Sequence, residues 1–442
     1  FLKTENLSNQ IETMVHDEDQ QVTTAAFRYL LKKYTNNTVD LFDKYLNSDD
    51  KTISNAALLG LSYELRNNEQ LKQRFSIENR LENALKQYAD LTNEEDKVNK
   101  ILAILEAIGN VKIERFYTVI SEHLNSNNNF IQQVAILSAA KTLDNQFIAV
   151  IISNLSGKDT RETAINALFN YGEHIIDILT KKVKDDAIEI DDAAYVILVI
   201  EKFATQKAIN ALMKLTEDTE HTVKIESIEA LKRLKWKSPN LIIKDRFIVD
   251  KILDECHLYQ NTLAVIHSQI VIQYKKKASD PETKEENEAR NKLIHLLELR
   301  LDRQLQRMFR FLGIRYPPND VDPIFNTILN GKEEQRIHAI EFLDNILDNQ
   351  LKKELIPVAE SILFDTTSEE KIKKLNLKVY SESECYHELL SRKDVKLKQA
   401  VLFLIEKTKD KKFSSLVQMV LNDSNEKVRA KAQAILAKEN SL

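Results

Sequence analysis

Four arginines, Arg300, Arg303, Arg307 and Arg310, are the side chains of this sequence whose type and spacing best suit them to bind something. On an α-helix, separations of three, four and three bring them onto one flank. Guanidinium groups are planar five-donor forks that match phosphate and carboxylate oxygens. A flank of this kind would dock the phosphate of a lipid headgroup or nucleotide, or a partner's acidic face. The alternative is internal: Glu298 and Asp302 lie within a turn and would pair with the same arginines on a solvated face.

No other group of side chains points to chemistry. Glu255, Cys256, His257 and His267 are the candidates for a metal, but Cys256 and His257 are adjacent and diverge by about 100° on a helix, which does not make a tetrahedral set. Gly157-Lys158 and Gly331-Lys332 lack the preceding glycine and following hydroxyl residue of a phosphate-binding loop. The acidic pairs Asp185-Asp186 and Asp191-Asp192 read as complements to a helix start. No nucleophile motif surrounds the Ser, His and Asp residues. We therefore expect no enzyme: no catalytic residue, no metal and no cofactor.

The elements that carry these residues must be helices. The 442 residues include only 6 glycines and 6 prolines, far below the average usage of roughly 7 and 5 per cent, and turns or sheets with positive φ need glycine. Charged residues make up 30% at a net charge of -5, which leaves no basic field to attract bulk nucleic acid. Cys256 and Cys385 are too few for a disulfide framework and suit a reducing compartment, so we expect the cytoplasm. The longest apolar run, Ala193 to Ile200, falls well short of the roughly 18 residues that span a bilayer, so no transmembrane segment is expected here. The sequence begins at Phe1 without a signal segment, which fits a piece of a longer protein.

One pattern recurs: a polar turn, a branched or polar anchor, small residues three and four positions on, and an apolar residue at plus eight. It appears as Asp19, Val22, Ala25, Ala26, Leu30, then as Asp50, Ile53, Ala56, Ala57, Leu61, and closes the chain as Asp423, Val428, Arg429, Ala432, Leu436. The period is about thirty residues. A second helix follows each copy, over Val39 to Leu46, Lys112 to Leu124, Gln146 to Leu155, Glu173 to Val183, Gln206 to Leu215 and Phe413 to Leu421. One pair cannot bury its own apolar stripes, so pairs must stack as a solenoid.

Three segments follow: an N-terminal repeat array over 1–238, an irregular helical centre over 239–330 with a charged loop near 275–288, and resumed repeats over 331–442. In the centre, Leu297, Leu301, Leu305, Met308 and Leu312 form a core stripe. Pro317, Pro318 and Pro323 are expected to end that helix and restart the chain at a new angle.

The acidic turn, Val-Arg pair and small residues of Asp423 to Leu436 resemble HEAT repeats, and Arg429 and Arg161 stand where those repeats often carry arginine. The resemblance implies an all-α fold, an α-α superhelix of HEAT-like pairs. The run MFRFLGIRYPPND, Met308 to Asp320, with EFLDNIL at Glu341 to Leu347, resembles a signature of bacterial proteins that join a membrane region similar to the ATP/ADP nucleotide carriers to HEAT repeats. Arg310, Tyr316, Pro317, Pro318, Glu341, Asp344 and Asn345 are the matched positions; with Arg300, Arg303, Arg307 and Arg315 they make the candidate interaction residues. The resemblance implies a domain at the cytoplasmic face of the inner membrane, partnered by its own membrane region.

Three functions are weighed. The first is a non-enzymatic scaffold that binds a protein partner or the attached membrane region. The second is a regulatory module of a nucleotide carrier that takes phosphate-bearing ligands or lipid headgroups. The third is a HEAT-like nucleic-acid-binding protein or DNA glycosylase, for which Trp236 among Arg233, Lys235 and Lys237 would be a local groove.

Overall fold

Scarce glycine and proline leave the chain little to form but helix, and the computed structural model, which describes residues 7–17, 19–33, 38–185, 187–218, 220–279, 283–363 and 375–440, is all-α, with no strand among the described residues. The chain divides into two compact units, Phe1–Phe203 and Ala204–Leu442.

In the first unit several of the polar turns that open the repeat are N-caps, at Asp50, Asn93 and Asn128. The Asp50 carboxylate accepts from the backbone N–H of Thr52 at 2.9 Å and of Ile53 at 3.3 Å, and the Asn128 side chain does the same for Phe130 at 3.0 Å. Each satisfies N–H groups that a helix start leaves without a partner. The first helices of the pairs, Gln20–Lys33, Lys51–Leu65, Glu94–Val111, Asn129–Thr142, Arg161–Asn170 and Ile190–Lys202, pack on one another in chain order. Second helices lie between them in the chain: Thr38–Leu46, Ile77–Asp90, Tyr117–His123, Ile148–Ser153 and Ile175–Lys184.

Small residues set the spacing between the first helices. Ala26, Ala56, Ala57, Ala107, Ala135, Ala139, Ala164 and Ala167 are all buried. At two crossings only glycine fits. A Cβ on Gly60 would come within 2.7 Å of the Phe27 Cβ, and one on Gly109 would lie 2.8 Å from both the Cα and the carbonyl oxygen of Ser138. The helices Glu94–Val111 and Asn129–Thr142 therefore meet backbone to backbone, with Ile104, Leu105 and Ile108 fully buried around the crossing. Each such side chain contributes roughly 1.5–3 kcal/mol of burial.

The arginines of the repeat have a defined task. Arg429 Nη1 donates to the carbonyls of Asp423 and Ser424 at 2.7 and 2.8 Å, and Arg161 donates to those of Leu155 and Ser156 at 3.0 and 3.1 Å. Arg336 repeats the arrangement with Gly331 and Leu329, at 2.8 and 3.2 Å. Each guanidinium reaches back to carbonyls at the end of the preceding helix or in the turn after it, where the helical ladder leaves acceptors open.

The second unit is built on a hairpin of two long helices, Asp245–Ser279 and Lys284–Arg315. The latter packs against Asp245–Ser279, His221–Lys237, Pro318–Asn330 and Val395–Thr408, which makes it the hub of this unit. Glu333–Ile346, Asn349–Ser361, Glu382–Ser391, Ser414–Met419 and Glu426–Asn440 complete the described helices after it.

Several expectations are corrected here. The segment expected as a charged loop near 275–288 is helical up to Ser279 and again from Lys284, while 280–282 lie outside the described residues. Its charges pair across the hairpin, with Lys276 Nζ 2.8 Å from Glu286, instead of being solvated in a loop. Gly313 lies inside its helix, which runs on to Arg315. Pro318 occupies the first turn of Pro318–Asn330, but Pro323 lies inside that helix, where it forgoes one backbone bond and does not end the element. Asp185 sits at the C-terminal end of Ile175–Lys184 and not at a helix start. Asp186, and the stretch around Lys371 through which the repeats were expected to run, lie outside the described residues.

A buried polar cluster fastens the hairpin to the C-terminal helices. Arg290, with no exposed surface, donates to Glu382 at 2.6 Å and to Gln269; the Tyr386 hydroxyl donates to the same Glu382 oxygen at 2.9 Å, and Lys276 reaches it at 3.1 Å. Burial would raise the Glu382 carboxyl, but the hydrogen bond and charge of Arg290, with Lys276 behind, hold it below the usual carboxylate range.

Candidate functional site

The helix Lys284–Arg315 forms where it does for local reasons. Thr283 caps it by accepting from the Glu286 N–H at 3.2 Å, Glu285 and Glu286 complement its positive end, and Arg315 stands in its last turn. Leu293, Leu297, Leu301, Leu305, Met308 and Leu312 make its buried stripe, with the Cys256 Sγ 3.4 Å from the Met308 sulfur. That packing turns the arginine flank toward neighbouring helices.

Three of the four arginines meet a carboxylate from another helix or its cap. Arg300 pairs with Asp394 at 2.5 Å, Arg307 with Glu255 at 2.6 and 2.8 Å, and Arg310 with Glu229 at 2.5 Å. The pairing with Glu298 and Asp302 along the same helix is thus replaced by contacts between helices, because the hub's flank is covered. Arg303 has no carboxylate within 4 Å among the described residues. Burial, then the charge of Arg300, works against its protonated form.

Sequence reasoning missed the group that faces this flank. His221 opens the helix His221–Lys237, with its Nδ1 3.4 Å from Arg307 Nη1. Burial, then the charges of Arg303, Arg307, Arg300 and Arg310, push its imidazole down to about 4. Lys224, one turn along, is also lowered, by burial and then by Arg307. Nothing near His221 in the chain signals this; only the fold brings it to the arginines.

The matched motif residues fall into two groups. Arg315 and Tyr316 form a corner: Arg315 pairs with Asp348 and, at 2.9 Å, with Asp245, while the Tyr316 hydroxyl lies 3.4 Å from the Asp348 carboxylate. Asp348 in turn caps Asn349–Ser361 through the N–H groups of Gln350 and Leu351. Pro317 and Pro318 start the next helix. Asp344 pairs with Lys352 at 2.9 Å, whereas Glu341 and Asn345 are exposed, Glu341 with His338 at 3.2 Å. Trp236 Nε1 donates to the Gly313 carbonyl at 2.8 Å, so its polar edge is engaged within the unit.

Among the described residues no group of side chains could hold a metal ion, and no helix is long and apolar enough to cross a membrane. A shallow hollow of about 350 Å³ is lined by Asn326, Thr327, Asn330, Gly331 and Gln335. No protein-family model and no curated protein matches the chain. Among solved structures, the crystal structure of an engineered protein aligns over 99% of both chains at 17% identity, with a TM-score of 0.21 that carries no argument about fold or function.

Proposed function

We propose that the protein is a non-enzymatic helical-repeat scaffold, a solenoid of HEAT-like pairs that offers a protein-interaction surface along its second helices. The observation that carries this reading is the chain-order packing of like helices at Gly60, Gly109 and the alanines of the first unit. Pairs that lean only on their neighbours form an array, and an array leaves one helix of each pair available to a partner. The partner is the membrane region of a larger bacterial transporter-like protein, and the domain works at the cytoplasmic face of the inner membrane; the likeness of Met308 to Asp320 and Glu341 to Leu347 to carrier fusions supports this.

Two experiments test it. The gene upstream of the Phe1 codon should encode a hydrophobic region of many spans; an upstream region without them removes the carrier reading. That membrane region should then copurify with the domain supplied in trans. Reversing exposed charges on a second helix, as in Lys181→Glu with Lys184→Glu, should abolish copurification at unchanged helicity; unaltered copurification in this and equivalent variants of the other second helices counts against the scaffold surface.

A further inference from the structure

We propose that the end of the helix His221–Lys237 and the turn after it dock on an anionic membrane surface. Trp236 and Ile242 enter the headgroup layer, and Lys235, Lys237 and Lys244 meet the lipid phosphates. Between Glu229 and Asp245 the chain carries five cations and no acid, although its net charge is -5. Lys232 is held within the fold, 3.2 Å from Glu229 and 3.5 Å from Asp322. Lys235, Lys237 and Lys244 have no carboxylate within 4 Å among the described residues. The acids that border the stretch are themselves engaged, Asp245 with Arg315 at 2.9 Å and Glu229 with Arg310 at 2.5 Å.

The fold holds the apolar side chains outward. Gln206 clasps the turn by its backbone: its Nε2 donates to the Ile242 carbonyl and its Oε1 accepts from the Ile242 N–H, both at 2.9 Å. The Leu241 N–H donates to the Ser238 carbonyl at 3.0 Å. With its backbone fixed and its neighbour Ile243 buried, Ile242 leaves 68% of its surface exposed. Trp236 is 44% exposed, yet its Nε1 already donates to the Gly313 carbonyl at 2.8 Å, so the ring can leave water without stranding a polar group.

An indole ring, a branched aliphatic side chain and unpaired lysines are what a segment lying in a bilayer interface presents. The lysine stems let the ammonium groups stay with the phosphates while the apolar tips sink. Free cations around a tryptophan would also suit a single nucleic-acid strand, where the ring stacks on a base. Ile242 favours the membrane, because an aliphatic side chain offers a base no stacking face and gains from an apolar medium. The patch goes beyond the scaffold reading and does not rest on it, since it lies in the second unit and needs no attached carrier.

Trp236 is the only tryptophan of the chain, so its own fluorescence reports the contact. With the intact protein at low salt, vesicles of phosphatidylcholine and phosphatidylglycerol in equal parts should shift its emission to the blue, and brominated acyl chains should quench it. Vesicles of phosphatidylcholine alone should do neither, and added salt should reverse the shift. Lys235→Gln, Lys237→Gln and Lys244→Gln together should weaken vesicle binding on the order of a hundredfold. Ile242→Ser, which keeps every cation, should weaken it about tenfold. Neither variant removes an ion pair, and both should fold. Absence of an emission change and of cosedimentation with the anionic vesicles overturns the proposal, as does binding that survives the triple substitution or is unaltered by Ile242→Ser. A response to oligothymidylate without a response to vesicles assigns the patch to nucleic acid and overturns it equally.

Discussion

Arg307 grips Glu255 across the long hairpin of the second unit, Nε to one carboxylate oxygen at 2.6 Å and Nη2 to the other at 2.8 Å, with both side chains largely buried. Removing one partner of such a pair leaves the other charged and desolvated. Arg307→Ala should therefore cost about 3 kcal/mol, whereas Arg307→Met with Glu255→Met should recover most of the loss. Arg303→Ala, one turn away and with no carboxylate partner among the described residues, should stay within about 0.5 kcal/mol. Denaturant unfolding of the variants measures all three.

The His221 imidazole gives the second unit a defined acid sensitivity. Its folded value of about 4 lies below its ordinary 6.5, so between these pH values the unfolded chain binds a proton that the folded chain does not. The stability tied to the neutral ring is full above pH 6.5 and is lost as the pH falls toward 4. His221→Gln should flatten the pH dependence of the melting temperature in that window by an amount on the order of 1 kcal/mol, discounted for its partial exposure. An unchanged slope contradicts the assignment.

Lys100 is the corresponding strained charge of the first unit. It is 4% exposed, its Nζ has the Ser54 hydroxyl at 3.4 Å, and burial followed by the charge of Lys51 pushes it down to about 8. Lys100→Met should stabilise the protein by about 2 kcal/mol at neutral pH, since it removes a desolvated charge. Between pH 8 and the ordinary 10.5 the folded lysine sheds its proton before the unfolded one does, so the parent gains stability there and the advantage of methionine shrinks. Thermal melts at two pH values check both parts.

What could be read in the chain and what could not divide along the range of the interactions. Second helices expected at Gln146 to Leu155, Glu173 to Val183 and Gln206 to Leu215 stand at Ile148–Ser153, Ile175–Lys184 and Gln206–Leu215, because caps and helical periodicity are local. The all-α class follows from the same local signals. The arginine flank was legible as a flank, but Glu255, Glu229 and Asp394 come to it from elsewhere in the chain, and no spacing rule could pair them. His221 was invisible for that reason. The charged stretch near 275–288 misled because Lys276 and Glu286 look solvated in sequence, while a hairpin sets them 2.8 Å apart.

The first helices of the first unit pack each on the next in chain order, and Gly109 is the place to strain that packing. Gly109→Ala drives a methyl into the Ser138 backbone, which should cost on the order of 2 kcal/mol beyond the gain in helix propensity. Amide hydrogen exchange on this variant is the most direct measurement. Protection should fall first in Glu94–Val111 and Asn129–Thr142, spread next to Lys51–Leu65 and Arg161–Asn170, and leave Ile190–Lys202 least affected. A uniform loss of protection across all of these helices at once would contradict it.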